Sequence, residues 1–239
     1  MSTTMKGAEV AKAMKETLIR EAEALKEKGI LPCLTIIRVG ARPDDLAYER
    51  GAKKRMELIG IECRVREFPE DISQREFEKE FQKINQDPSV HGILLFHPLP
   101  DHLDEKPVKS IIHPYKDVDC MSNVNIAKVF AGDETGFAPC TAEAVVRMLD
   151  HYGIDPKGRK VTVVGRSMVV GKPLAMLLLD RHGTVTLCHT RTADLEEECR
   201  KAQILVAAAG KAGMITEAMT GQDAVVVDVG INVDENGRL

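Results

Sequence analysis

The sequence predicts an α/β protein of two domains with mostly parallel sheets, the C-terminal one Rossmann-like. Three observations carry that expectation. Runs of β-branched and aliphatic residues alternate with longer stretches of helical periodicity through almost the whole 239 residues. A strand-like run, Val161–Val164, feeds directly into a glycine, with a second glycine six positions later and a helical pattern beyond it. Between the two alternating series, residues 113–141 carry several glycines and prolines, which places a domain junction there and sets the domains at 1–140 and 141–239.

In the first series, Val10, Ala13, Met14, Leu18, Ala22 and Leu25 recur at helical spacing, predicting a helix over 7–28. A strand follows over 34–39. Pro43 and Gly60 bracket a helix over 44–58. Residues 61–65 form the next strand. Phe77, Phe81 and Ile84 share one face of a helix over 73–85, where Ser73 and Glu76 have the spacing of a reciprocal N-terminal cap. Residues 90–96 complete a βαβαβ unit, whose ligands belong near the carboxyl ends of its strands. In the second series a helix from Ala142 precedes strands at 160–164, 184–188, 204–208 and 224–229, with helices between, the first of them over 168–179.

The segment VTVVGRSMVVGKP (Val161–Pro173) has the chemistry of an anion site. A glycine turn leaves backbone N–H groups outward, and the following helix dipole favours negative charge. Gly165 permits the tight turn and Gly171 a close approach, while Ser167 stands where the middle glycine of a dinucleotide fingerprint usually lies. An ordinary strand–helix turn is the alternative. About twenty residues on, where a carboxylate would grip the adenine ribose of NAD, the chain has His189, Thr190 and Arg191 and no acid until Asp194. With Arg166 nearby, this basic, hydroxyl-bearing set favours the 2′-phosphate of NADP.

Composition narrows the partners. A net charge of −4, no tryptophan and 4% aromatic residues argue against a nucleic-acid surface. Apolar runs are strand-length, and the polar N-terminus is unlike a signal peptide, so neither a membrane nor export is expected. Six scattered cysteines without a CxxC pair suit free thiols in a reducing cytoplasm and no metal site; Cys140 is placed in a loop.

Beside the nucleotide turn stand YERGAKKR (48–55), FHPLP (96–100), HPYKDVDC (113–120), APCT (138–141), AAAGK (207–211) and VVVDVGIN (225–232). Together these resemble the methylenetetrahydrofolate dehydrogenase/cyclohydrolase family, in order and spacing from near the N-terminus to Asn232. KDVDC, GRSxxVGxP and DVGIN in one chain form a specific combination. The resemblance implies a folate-binding domain, an NADP-binding domain, homodimers and tetrahydrofolate derivatives as substrates. It implies that Asp119 holds the pterin, where a carboxylate can accept two N–H bonds, and that Tyr48 lines the folate pocket. A turn-forming aspartate and a core tyrosine are the alternatives. Arg166, Ser167, Thr190 and Arg191 would hold NADP phosphates, with Gly165, Gly171, His189 and Ile231 completing the cofactor set.

Two departures bear on the hydrolytic half. The family's proton-handling lysine stands four residues after the tyrosine, and here that position is Ala52. Gly40 eight before Tyr48 and Gly60 twelve after fix the register without a gap. Lys53 is turned by about 100° from that face. The glutamine that orients the lysine is replaced by Phe96, and His97 follows. Three outcomes are open: loss of cyclohydrolase activity, proton transfer by His97, whose side-chain type titrates near neutrality, or service by another lysine such as Lys53. The candidate catalytic side chains are therefore Tyr48, Lys53, His97 and Asp119. The family also continues past the DVGIN strand with a loop and a returning helix, so the resemblance implies a further wall of the nicotinamide site beyond Leu239.

Overall fold

A computed structural model describes residues 3–230. Two compact units divide within one helix: Lys6–Ala127 form one, and Met1–Met5 with Lys128–Leu239 the other.

The first unit holds α1 (Gly7–Glu27), β1 (Cys33–Val39), α2 (Pro43–Ile59), β2 (Glu62–Phe68), α3 (Gln74–Gln86), β3 (Gly92–Leu95) and α4 (Lys106–Ile111), and it enters α5 (Asn123–Ala131). Its sheet runs β2-β1-β3 with both pairings parallel, Ile37 opposite Arg66 on one side and Leu95 on the other. Central β1 is buried almost throughout, as a parallel strand covered on both faces must be. Ser73 caps α3, its hydroxyl accepting from the Glu76 backbone N–H and donating to the Glu76 carboxylate. Phe77 and Phe81 are fully buried and pack with Ile37, Ile93, Leu95 and Val108 as the core. α2 begins on Pro43 and ends at Gly60, whose φ of 77° is the left-handed stop for which a side chain is ill suited.

The second unit contains α6 (Cys140–His151), β4 (Lys160–Val164), α7 (Gly171–Asp180), β5 (Thr184–Cys188), α8 (Leu195–Arg200), β6 (Ile204–Ala207) and β7 (Val225–Asp228). The order β5-β4-β6-β7 is parallel throughout, the Rossmann-like arrangement expected. Val163, Leu174, Leu178, Ile204 and Val206 form its core with the α6 face Val145–Val146–Leu149.

Some local expectations require correction. α7 starts at Gly171, not Met168, because the Ser167 carbonyl and hydroxyl accept from Lys172 and Val170 and fold the preceding residues into a turn. The region 113–141 is not wholly irregular: α5 lies within it, nucleated by buried Ser122, whose hydroxyl accepts from the Asn125 N–H. Cys140 is the first residue of α6 rather than a loop residue. Helix α4 went unexpected, and a single 3-10 turn, Glu217–Met219, stands between β6 and β7 in place of a helix.

Candidate functional site

The carboxyl end of the β2-β1-β3 sheet gathers three chain segments. β1 exits through Val39 into Gly40, β3 exits through Leu95 into Phe96 and His97, and residues 116–118 run alongside β3. Asp117 bridges Ile93 in parallel, and the Ile93 N–H donates to the Lys116 carbonyl at 2.6 Å. Asp119 follows two residues beyond this bridge, in the turn that leaves the strand. Gly92 makes the approach possible, since a Cβ there would stand 2.8 Å from the Val118 side chain.

Two acids of KDVDC play different parts. Asp117 is fully buried; its carboxylate accepts from the backbone N–H of Met121, the backbone N–H of Ser122 and the Asn125 amide, each at 2.9 Å. A carboxylate with three donors is a strong internal anchor. It fixes the turn from which the half-buried Asp119 emerges, with Cys120 behind it at a φ of 57°.

Tyr48 is 61% exposed, which excludes the core-tyrosine alternative. Its ring meets the edge of Phe96 with centroids 5.3 Å apart and planes at 70°. Phe96 itself is buried, its N–H donating to the Ile37 carbonyl. The position where the resemblance implies a glutamine thus carries an apolar wall under the tyrosine. Ala52, one turn along α2 from Tyr48, is half-buried and supplies no proton carrier. Lys53 sits one turn on from Glu49, on a different side of the helix. Burial pushes the Cys63 thiol up, and the Lys53 ammonium opposes that rise.

His97 is tethered at both ends. Its Nδ1 meets Glu105 Oε1 at 2.8 Å, and its carbonyl accepts from the Arg42 guanidinium at 3.1 Å. Arg42 is in turn gripped by both oxygens of buried Asp45 at 2.9 Å. Glu105 also pairs with Lys109 at 2.8 Å, one turn along. Burial works to raise the Glu105 carboxyl, yet the bonds from Lys109 and His97 win and hold it below the usual carboxylate range. Arg42, Asp45, Glu105 and Lys109 were missed in the sequence. The i,i+3 and i,i+4 charge spacings were legible, but the 55-residue separation of Arg42 and His97 gave no local signal.

Behind these lies Arg38, almost wholly buried on β1. It donates to Glu49 at 2.7 Å, to Glu67 at 2.8 Å and to the Gly40 carbonyl at 2.5 Å. Desolvation alone would weaken its proton affinity; the two carboxylates more than offset that.

In the other unit the glycine turn has the form of a nucleotide cradle. Gly165 has a φ of 131°, and a Cβ there would lie 2.5 Å from the Ala208 carbonyl oxygen. Its N–H donates to the Cys188 carbonyl. Gly171 opens α7 against the Gly165 peptide itself. Arg166 and Ser167 are exposed on this turn. Val164 and Cys188 are register partners, so Arg166 and the His189–Arg191 loop leave neighbouring strand ends. His189 is half-buried. Its Nδ1 accepts from the Arg191 N–H at 3.1 Å and its own N–H donates to the Thr192 hydroxyl at 2.9 Å. The ring therefore closes the loop, while Thr190 and Arg191 remain exposed. Ile231 lies outside the described residues, as does the rest of the chain end. The structure groups Gly165, Arg166, Ser167, Gly171, His189, Thr190 and Arg191 at one sheet end, and Tyr48, His97 and Asp119 at the other unit's sheet end; Lys53 belongs to neither group.

The fold and these two sheet ends define a two-unit enzyme with one nucleotide-binding Rossmann-like unit. Comparison gives the family. Residues 5–119 match the tetrahydrofolate dehydrogenase/cyclohydrolase catalytic domain, and residues 139–239 match the NAD(P)-binding domain of the same enzymes. The chain belongs to the tetrahydrofolate dehydrogenase/cyclohydrolase family. It is 54% identical to the bifunctional protein FolD of Clostridium kluyveri over all of its length and 84% of that protein. Among solved structures it is similar to the bifunctional FolD enzyme of Campylobacter jejuni, with a TM-score of 0.96 and 37% identity over 99% of this chain and 84% of that one. It also resembles the FolD of Trypanosoma brucei, solved with NADP cofactor and an inhibitor, at a TM-score of 0.91 and 33% identity over 98% and 81% of the two chains. No helix among the described residues is long and apolar enough to cross a membrane.

Proposed function

We propose that the chain is an NADP-dependent methylenetetrahydrofolate dehydrogenase that also hydrolyses the methenyl product to formyl-tetrahydrofolate. The carrying observation is that both family domains match in one chain, with a glycine cradle in one and an anchored KDVDC turn in the other.

Bound NADP supplies a hydride acceptor. The Gly165–Gly171 turn presents backbone N–H groups and the α7 dipole to its phosphates. Ser167 accepts from Val170 and so keeps its own proton to donate, and Arg166 and Arg191 add charge suited to a 2′-phosphate. Asp119 accepts from the pterin edge, on a turn that Asp117 fixes. Tyr48 offers its ring face and hydroxyl to the folate. The hydride step needs alignment rather than proton transfer, because the folate nitrogen lone pair drives the hydride out. The hydrolytic step does need a proton carrier.

A cytoplasmic homodimer is part of this reading; the six free cysteines are consistent with a reducing compartment, and light scattering of the purified chain tests the dimer. The activity test is NADPH formation from methylene-tetrahydrofolate. Arg191→Ala is expected to lower kcat/KM for NADP about tenfold while leaving that for NAD within about twofold. Absence of NADPH formation by the purified chain overturns the assignment.

A further inference from the structure

We propose that His97 carries the proton in the hydrolytic step, acting through Nε2, and that Glu105 is its positioning residue. This deepens the reading above and rests on it. Four observations support the assignment. The His97 ring is 35% exposed, so it is reachable by solvent and substrate while still held. Its Nδ1 is engaged by Glu105, and among the described residues nothing contacts Nε2 as a partner. Glu105 is itself fixed by Lys109, and the His97 backbone by the Arg42–Asp45 pair. The charged groups around this contact are Glu105 at the N-cap of α4 with Lys109 one turn on, and Arg42 with Asp45 at the start of α2.

Placement agrees with the role. Asp119 lies two residues past the bridge to Ile93 and His97 two residues past the end of β3, so both leave the carboxyl end of one sheet. Of the other candidates, Ala52 has no titratable group, and Lys53 lies about 140° around α2 from Tyr48.

The chemistry balances. A water oxygen bonds to the methenyl carbon, and one water proton passes to His97 Nε2. The ring C–N bond then breaks with its electron pair going to nitrogen, which takes that proton back from Nε2. The remaining hydroxyl proton leaves to solvent as the formyl group forms. One proton is released for each cation hydrolysed, and His97 ends as it began. The Glu105 carboxylate keeps Nδ1 protonated, so Nε2 is the basic nitrogen, and it stabilises the transient imidazolium.

The test uses the full chain with methenyl-tetrahydrofolate, following hydrolysis above the buffer rate. His97→Ala is expected to lower kcat about a hundredfold, with part of the activity restored by added imidazole above its own background. Glu105→Gln, which preserves shape and removes charge, is expected to lower kcat about tenfold with KM within about twofold. Circular dichroism checks folding, and Glu105→Gln and His97→Asn decide the matter where His97→Ala is unfolded. Hydrolysis by a folded His97 variant within about twofold of the parent chain overturns the proposal. Parent chain that forms NADPH but hydrolyses no faster than buffer also overturns it, and leaves the dehydrogenase assignment standing. Failure of both activities overturns both.

Discussion

The carbonyl oxygen of Gly165 lies 1.9 Å from the point where a Cβ on Gly171 would stand. The strand end and the helix start thus touch backbone to backbone, with no room for a methyl group. Gly171→Ala must either displace α7 or shift the turn, and relief through a flexible side chain is not available. The expected outcome is a loss of NADP affinity of at least about tenfold, with a lower melting temperature as the cost of overpacking, about 1–3 kcal/mol. Isothermal titration and thermal melting measure the two effects separately; native affinity in the variant would show that the turn is not the cradle.

The two acids of KDVDC should separate cleanly. Asp117→Asn puts an amide where three donors converge, so it is expected to destabilise the first unit by about 2–4 kcal/mol. Asp119→Asn is expected to leave the melting temperature within a few degrees and to raise the folate KM, about tenfold or more. Denaturant melts paired with steady-state kinetics check this. A reversed pattern would exchange the roles given to the two residues.

Most of this architecture was legible in the sequence, for identifiable reasons. Lys160–Val164 and Thr184–Cys188 are β-branched runs closed by glycine or loop residues, and their predicted limits coincide with the observed ones. Ser73 announced its cap because N-capping is a purely local bond. Helices α4 and α5 escaped because six and nine residues are too few for periodicity to stand out between prolines and glycines. The tethering of His97 escaped because it depends on Arg42, far away in sequence, and on a helix that was not foreseen. Asp117 read as a turn former beside Asp119; only its complete burial reveals the anchor.

Arg38 offers a third prediction. Arg38→Ala would strand Glu49, whose side chain is 13% exposed, without its cation. Leaving a buried carboxylate unpaired costs about 3–5 kcal/mol. Arg38→Met together with Glu49→Leu should recover much of that, since apolar replacement of a buried pair is often neutral. Chemical denaturation of the single and double variants measures the difference, and a single variant as stable as the parent would show that the cluster contributes no net stability.

Glu105 makes stability depend on pH in a defined direction. Its folded-state carboxyl is held below the ordinary value of 4.5, so the folded chain binds this proton less readily than the unfolded chain. The resulting stabilisation is fully present above that ordinary value and is lost as pH falls below it toward the depressed one. Glu105→Gln should therefore flatten the melting-temperature curve on its acid side while changing little at neutral pH beyond the lost bond. An unchanged acid slope would mean that the Lys109 and His97 contacts do not persist in solution.

All strand neighbours in both sheets are parallel, and none is joined by a hairpin: Leu34 finds Gly92, and Val161 finds Ile204. Every pairing thus waits for a long connection to close, around at least one helix in all but β6 with β7, before its contacts reward the search. Refolding should accordingly be slow, in the millisecond-to-second regime. Until β1 and β4 are enclosed on both sides, their hydrophobic edges are open to pairing between chains, so the yield of active enzyme on renaturation should fall as protein concentration rises.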